Sequence, residues 1–212
     1  IAEKLVEISN KIDIPLVFKA SYDKANRTSL DSFRGPGLNK GLDILLEIRD
    51  KFNIPILTDA HNIHEIEALS GKIDIIQIPA FLVRQTDIII AAGESKSAIN
   101  IKKAQFLAPW DLRHVVKKIE STGNKKIIIT ERGTSFGYNT LISDMRSLVI
   151  MRELGYPIIF DATHSVQSPG GNGDSSGGDG LFAPYLAKAA VAVGINGLFI
   201  ETHPNPANAL SD

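Results

Sequence analysis

The sequence predicts a parallel α/β fold of the (β/α)8 barrel type, a single domain over residues 1–212. Three observations predict it. Short β-branched runs alternate strictly with longer amphipathic segments. The short runs are nearly continuous in apolar residues, as strands buried on both faces are. The first strand–helix turn, residues 21–34, carries no glycine fingerprint of the kind a doubly wound dinucleotide-binding sheet places there.

In chain order, residues 1–11 read as a helix, and the first strand is expected at 14–20 (IPLVFKA). The apolar spacing of 42–52 predicts a helix leading into a strand at 54–60 (IPILTDA). A helix at 64–70 precedes a strand at 73–80 (IDIIQIPA), and one at 86–94 precedes a strand at 98–103 (AINIKK). Helix 111–122 leads to strand 126–131 (KIIITE), helix 140–154 to strand 157–162 (PIIFDA), and helix 184–193 to strand 197–201 (GLFIE). A helix at the start and a strand at the end imply one more strand before Ile1 and one more helix after Asp212. Those additions make eight βα units, the count of a closed barrel.

Composition narrows the function. Apolar residues at 43% and charged residues at 22% are the balance of a globular domain with a sizeable core. Lys plus Arg number 23 against 24 Asp plus Glu, a formal charge of −1, which argues against nucleic-acid or anionic-membrane partners driven by bulk charge. No run reaches the length of a membrane span and no signal peptide is visible, so a cytoplasmic location is expected. The absence of cysteine excludes disulfides and thiolate metal ligands within these residues and fits a reducing compartment.

Residues just past the strand ends face the active site of such a barrel. Those positions hold Lys19, Ser21, Lys24, Asn26, Arg27 and Arg34, then Asp59 and His61, then Gln77 with Arg84 beyond it. They continue with Lys102 and Lys103, Glu131 and Arg132, Asp161 and His164, and Glu201 and His203. A nearly neutral chain that gathers Lys and Arg on one rim is equipped for phosphates or carboxylates. His164 and Glu201, with Asp212 arriving from the next loop, form a donor set suited to Zn²⁺, Fe²⁺ or Mn²⁺. The segment 169–180 (PGGNGDSSGGDG) matches no phosphate-loop pattern and reads as a mobile lid.

At the same rim segments the chain resembles the 3-deoxy-D-manno-octulosonate 8-phosphate synthases. The matching stretches are 18–29 (FKASYDKANRTS), 33–37 (FRGPG), 77–87 (QIPAFLVRQTD) and 100–106 (NIKKAQF), then 130–139 (TERGTSFGYN), 160–167 (FDATHSVQ) and 199–206 (FIETHPNP). The resemblance implies a homotetrameric barrel that condenses phosphoenolpyruvate with D-arabinose 5-phosphate and water, an early step towards the lipopolysaccharide inner core. By motif, Lys24, Lys102 and Arg132, with Gln77 nearby, hold phosphoenolpyruvate. Lys19, Asn26, Arg27 and Thr28 hold arabinose 5-phosphate, and Phe81 and Arg84 reach a neighbouring subunit's site. Lys102, Asp59, His61 and His164 serve the chemistry, and His164, Glu201 and Asp212 are the metal ligands.

The family divides into a metal-dependent branch with a Cys on the first barrel strand and a metal-independent branch with Asn there. Residues 107–111 (LAPWD), 165–167 (SVQ) and 209–212 (ALSD) resemble the metal-dependent branch. The family's lid carries an Arg shortly after its last Gly pair, whereas Gly177-Gly178 is followed here by Asp179-Gly180-Leu181. Three alternatives remain open at this level. One is the related 3-deoxy-7-phosphoheptulonate synthase, which uses erythrose 4-phosphate. The others are a class I aldolase with Lys102 as Schiff base and a non-catalytic phosphosugar-binding barrel.

Overall fold

The computed structural model describes residues 1–27, 29–170 and 177–206. Thr28 and Asp212, two of the expected site residues, lie outside them, as does most of the glycine-rich segment. The chain runs α1 (Ala2–Ile12), β1 (Phe18–Lys19), α2 (Leu38–Phe52), β2 (Ile56–Asp59), α3 (Ile63–Leu69), β3 (Ile75–Ile78), α4 (Thr86–Glu94) and β4 (Ala98–Lys102). It continues with α5 (Leu112–Glu120), β5 (Ile127–Glu131), β6 (Thr134–Ser135), β7 (Leu141–Ile142), α6 (Met145–Arg152), β8 (Ile158–Asp161), β9 (Gln167–Ser168), β10 (Gly177–Gly178), α7 (Ala183–Val193) and β11 (Gly197–Phe199).

Seven strands form one sheet in the order β1-β2-β3-β4-β5-β8-β11, and every pairing in it is parallel. An order that never reverses is the single winding of a barrel, which excludes the doubly wound alternative. The sheet curls until its first and last strands approach: the Lys19 ammonium on β1 lies 6.0 Å from the Phe199 ring on β11.

Side-chain alternation divides each strand between two environments. Toward the helices point Ile56, Ile76, Ile78, Ile99, Ile101, Ile127, Ile129, Ile158 and Phe160, all buried. Each stabilises the fold by roughly 1.5–3 kcal/mol through removal from water. On α5, Leu112, Val115, Val116 and Ile119 form a helical stripe that meets this layer. The opposite, lumenal positions turn from apolar (Leu57, Ile75, Ile128, Ile159) to polar towards the strands' C-terminal ends. Asn100 donates to Gln77 at 3.0 Å and accepts from the Thr130 hydroxyl at 2.7 Å, so a buried amide network crosses β3, β4 and β5.

Most expected elements end a few residues short, and two are cut back furthest. The strand expected at 14–20 pairs only at Phe18–Lys19; Pro15 has no N–H to give a ladder, and Ile14 and Val17 are exposed. The helix expected at 140–154 spans Met145–Arg152. Leu141–Ile142 instead pairs antiparallel with Thr134–Ser135, and the Asp144 side chain caps the helix by accepting from Arg146 N at 3.0 Å. Gly133, at φ 91°, makes the turn that a side chain would strain. Near the glycine-rich segment, Gly177–Gly178 pairs with Gln167–Ser168 and Asp179 N donates to Val166 O, which anchors the segment's C-terminal flank.

Candidate active site

The C-terminal strand ends place most of the expected residues around one lumen mouth. On β4, alternation turns Lys102 inward, where its ammonium meets Asp161 of β8 at 2.6 Å. Asp161 is fully buried and also receives His164, through its backbone N–H at 2.8 Å and its Nδ1 at 2.7 Å. His164 Nδ1 thus faces Asp161, and the ring presents Nε2 outward. That nitrogen lies 3.2 Å from Glu201, whose other oxygen accepts from Lys24 at 3.1 Å. Arg132 donates to His164 O at 3.1 Å and to Gln167 at 2.6 Å. The Phe199 ring lies beneath, 4.4 Å from the Lys102 ammonium.

A second cluster occupies β1 and β2. Lys19 donates to Ser21 at 2.6 Å, Ser21 donates to Asp59 at 2.6 Å, and Lys19 also lies 3.2 Å from Asp59. His61 bridges two carboxylates, Asp59 through Nε2 at 3.1 Å and Glu65 through Nδ1 at 3.0 Å. Glu65 is held in turn by the Tyr22 hydroxyl at 2.6 Å, His61 N at 2.7 Å and Asn62 Nδ2 at 2.8 Å. Asn62 accepts from Glu65 N at 3.0 Å, so the same residues close a reciprocal N-cap on α3.

Electrostatics follow from these contacts. Burial favours the neutral acid at Asp59, but the Lys19 charge and hydrogen bonds from His61 and Ser21 overcome it and hold the carboxyl well below its usual range. Burial likewise opposes ionisation of Asp161, and Lys102 with His164 more than offsets that. Partial burial opposes ionisation of Glu201 as well, yet His164 and Lys24 hold its carboxyl well below the usual range. Lys102 is pushed down by burial, with Lys19 and Arg132 adding to the effect and Asp161 opposing it. The mouth is therefore cationic, with its carboxylates already neutralised, a state that favours an arriving phosphate.

His61 moves the other way. Burial disfavours its charged form, but Asp59 and Glu65 raise its pKa above the ordinary 6.5. Carboxylates against both ring nitrogens favour the imidazolium. Its stabilising contribution is complete below pH 6.5 and is lost as pH rises through the folded value. Replacing Glu65 with Gln is expected to lower the midpoint of the His61 ring-proton titration measured by NMR. An unchanged midpoint would show that Glu65 does not hold the charge.

Other expected residues lie away from these two clusters. Phe81 and Arg84 are exposed beside α4, Asn26 is exposed, and Arg27 is half-buried. Gln77 faces inward but is bound to Asn100. Lys103, expected among the rim cations, is fully buried behind β4 instead, because a period of two turns it away from its neighbour Lys102. Asp161, Glu65 and Phe199 were not singled out for roles; the Asp161-to-His164 spacing of three residues is the signal that a carboxylate could anchor the imidazole.

Fold and rim together define a single-wound α/β barrel with a mouth lined by cations. The DAHP synthetase I family model matches residues 1–212. The chain is 60% identical to a 2-dehydro-3-deoxyphosphooctonate aldolase of Granulibacter bethesdensis, covering all of this chain and 75% of that protein. Proteins of the same name from Geotalea daltonii and Geobacter sulfurreducens are 59% and 57% identical, with 78% of each covered. The chain belongs to the DAHP synthetase I family.

Proposed function

We propose that the chain condenses phosphoenolpyruvate with D-arabinose 5-phosphate and water, giving 3-deoxy-D-manno-octulosonate 8-phosphate and inorganic phosphate. It would thus serve lipopolysaccharide biosynthesis as a transferase. One observation carries this reading: the full-length match to relatives named for that product coincides with cations from β1, β4 and β5 converging at one mouth.

The balance of the reaction assigns work to the residues present. The methylene carbon of phosphoenolpyruvate bonds to the sugar aldehyde carbon, whose oxygen takes a proton. Water adds to the neighbouring carbon and supplies the keto oxygen as the carbon–oxygen bond to phosphate breaks. Its two protons end on the new hydroxyl and on the departing phosphate. Lys24, Lys102 and Arg132 would hold phosphoenolpyruvate, and Lys19, Asn26, Arg27 and Thr28 the sugar phosphate. Holding both reactants in line supplies much of the rate. His61, whose charged form Asp59 and Glu65 favour, can donate toward the forming alkoxide, and Asp59 fixes its ring. Asp161 holds the Lys102 ammonium in place across their 2.6 Å contact.

A divalent ion of the Zn²⁺, Fe²⁺ or Mn²⁺ type fits the donor chemistry. Among the described residues no three His, Cys, Asp or Glu side chains form a metal-holding group. His164 Nε2 and Glu201 supply two donors 3.2 Å apart, and Asp161 orients the imidazole as supporting carboxylates do at metal sites. Asp212 would be the third ligand. Such an ion polarises a bound oxygen and would favour attack on the aldehyde.

A homotetramer in the cytoplasm completes the reading. Exposed Phe81 and Arg84 support the subunit contact, and no helix among the described residues is long and apolar enough to cross a membrane. A phosphate-release assay with each aldose phosphate tests the substrate. Release with arabinose 5-phosphate, and little with erythrose 4-phosphate, is the expected result; the reverse preference would overturn it.

A further inference from the structure

Lys103 and Glu131 are buried charges that the condensation does not use. Lys103 is wholly buried and Glu131 is 2% exposed. Their carboxylate–ammonium contact is 3.3 Å, on the helix-facing side of the sheet. Each is the sequence neighbour of a cation assigned to phosphoenolpyruvate: Lys103 follows Lys102, and Glu131 precedes Arg132.

Apart from one bond to α6, the contacts of this pair are in the loops that carry those cations. The Lys103 ammonium lies 3.2 Å from Ala104 O and 3.4 Å from Leu107 O, in the loop after β4. It also lies 3.4 Å from Gly133 O and 3.2 Å from the Thr134 hydroxyl, in the loop after β5. Glu131 closes the second loop from within. One oxygen accepts from Arg132 N at 2.9 Å and Gly133 N at 2.7 Å, and the other accepts from Ser147 of α6 at 2.8 Å.

We propose that Lys103 and Glu131 are a positioning pair, which locks the β4 and β5 loops together from behind so that Lys102 and Arg132 present one fixed phosphoenolpyruvate site. This rests on the assignment of Lys102 and Arg132 to phosphoenolpyruvate. A buried ion pair is a poor source of net stability, because desolvation offsets its attraction and neutral replacements are often tolerated. Its value here lies in geometry. One ammonium ties carbonyls and a hydroxyl from two loops, and one carboxylate sets the backbone amide that begins the Arg132 turn. The arabinose 5-phosphate residues belong to β1 and its loop, which this pair does not touch.

The test compares wild type, Lys103→Met, Glu131→Gln and the double variant. The readouts are thermal midpoint, phosphoenolpyruvate affinity by direct titration, and KM for each substrate. Each single variant is expected to lower the midpoint by stranding a buried charge. The double variant, in which Gln still accepts from both amides and can donate to Ser147, is expected to recover the midpoint. Its phosphoenolpyruvate affinity stays down by about ten- to a hundredfold, the range for losing one charge-assisted hydrogen bond. Its KM for arabinose 5-phosphate is expected to be unchanged.

Recovery of both midpoint and phosphoenolpyruvate affinity in the double variant would overturn the proposal. An equal rise in both KM values would overturn it as well, since that marks general loosening. If the wild type binds phosphoenolpyruvate but releases no phosphate with arabinose 5-phosphate, the functional reading fails. The same split in phosphoenolpyruvate affinity would then still support the pair's positioning role.

Discussion

Replacing Lys102 with Met is expected to lower kcat/KM for phosphoenolpyruvate by about two to three orders of magnitude, the loss typical when one preorganised charge donor is removed. The side chain is 7% exposed, and its ammonium lies within reach of Asp161 and His164 and over the Phe199 ring. Water cannot readily take its place. The same change strands Asp161, whose carboxylate is fully buried, and breaking such a pair typically costs about 3–5 kcal/mol of stability. Lys102→Met with Asp161→Asn separates the two effects. The double variant should regain much of its thermal midpoint while turnover stays low. Full recovery of turnover would show that Lys102 acts only by neutralising Asp161.

Lys102 also decides between two chemistries. A Schiff-base aldolase needs a lysine amine that is free to attack a carbonyl, and burial does push Lys102 down. However, Asp161 opposes that push at 2.6 Å and favours the ammonium. Borohydride in the presence of substrate is therefore expected to leave Lys102 unmodified. A trapped adduct on Lys102 would favour the aldolase alternative.

The strand ends were legible because barrel geometry fixes which end carries function. Lys102, His164, Glu201 and Lys24 could be placed at one mouth from alternation alone, and the structure links them in a continuous chain of contacts. Lys103 could not be separated from Lys102 by residue type; only the strand phase distinguishes the lumenal lysine from the buried one. Glu65 was hidden for another reason. It reads as an ordinary N3 cap residue on α3, and its contacts to His61 and Tyr22 depend on how the loop after β2 folds back. The β6–β7 hairpin escaped because two-residue strands leave no period to detect, and the apolar residues before α6 extend the helical pattern.

Chelation is the other change expected to have a large effect. In the metal-dependent reading, His164 and Glu201 are ligands, and a strong chelator should abolish phosphate release. Zn²⁺, Fe²⁺ or Mn²⁺ should restore it, to differing degrees. His164→Ala should lose metal binding in a direct titration, because it removes Nε2 as a donor. Among the described residues it also leaves Asp161 with only Lys102 as a side-chain partner, so the thermal midpoint must be measured alongside. Glu201→Gln supplies the contrast. It weakens the second donor and the contact to Lys24 but leaves the Asp161–His164 hydrogen bonds in place. Metal affinity should fall in both variants, since each removes or weakens a donor. Phosphate release that survives chelation, from protein shown to be metal-free, would place the chain with the metal-independent synthases. His164 and Glu201 would then act as a hydrogen-bonded pair that neutralises Lys24 until phosphoenolpyruvate arrives.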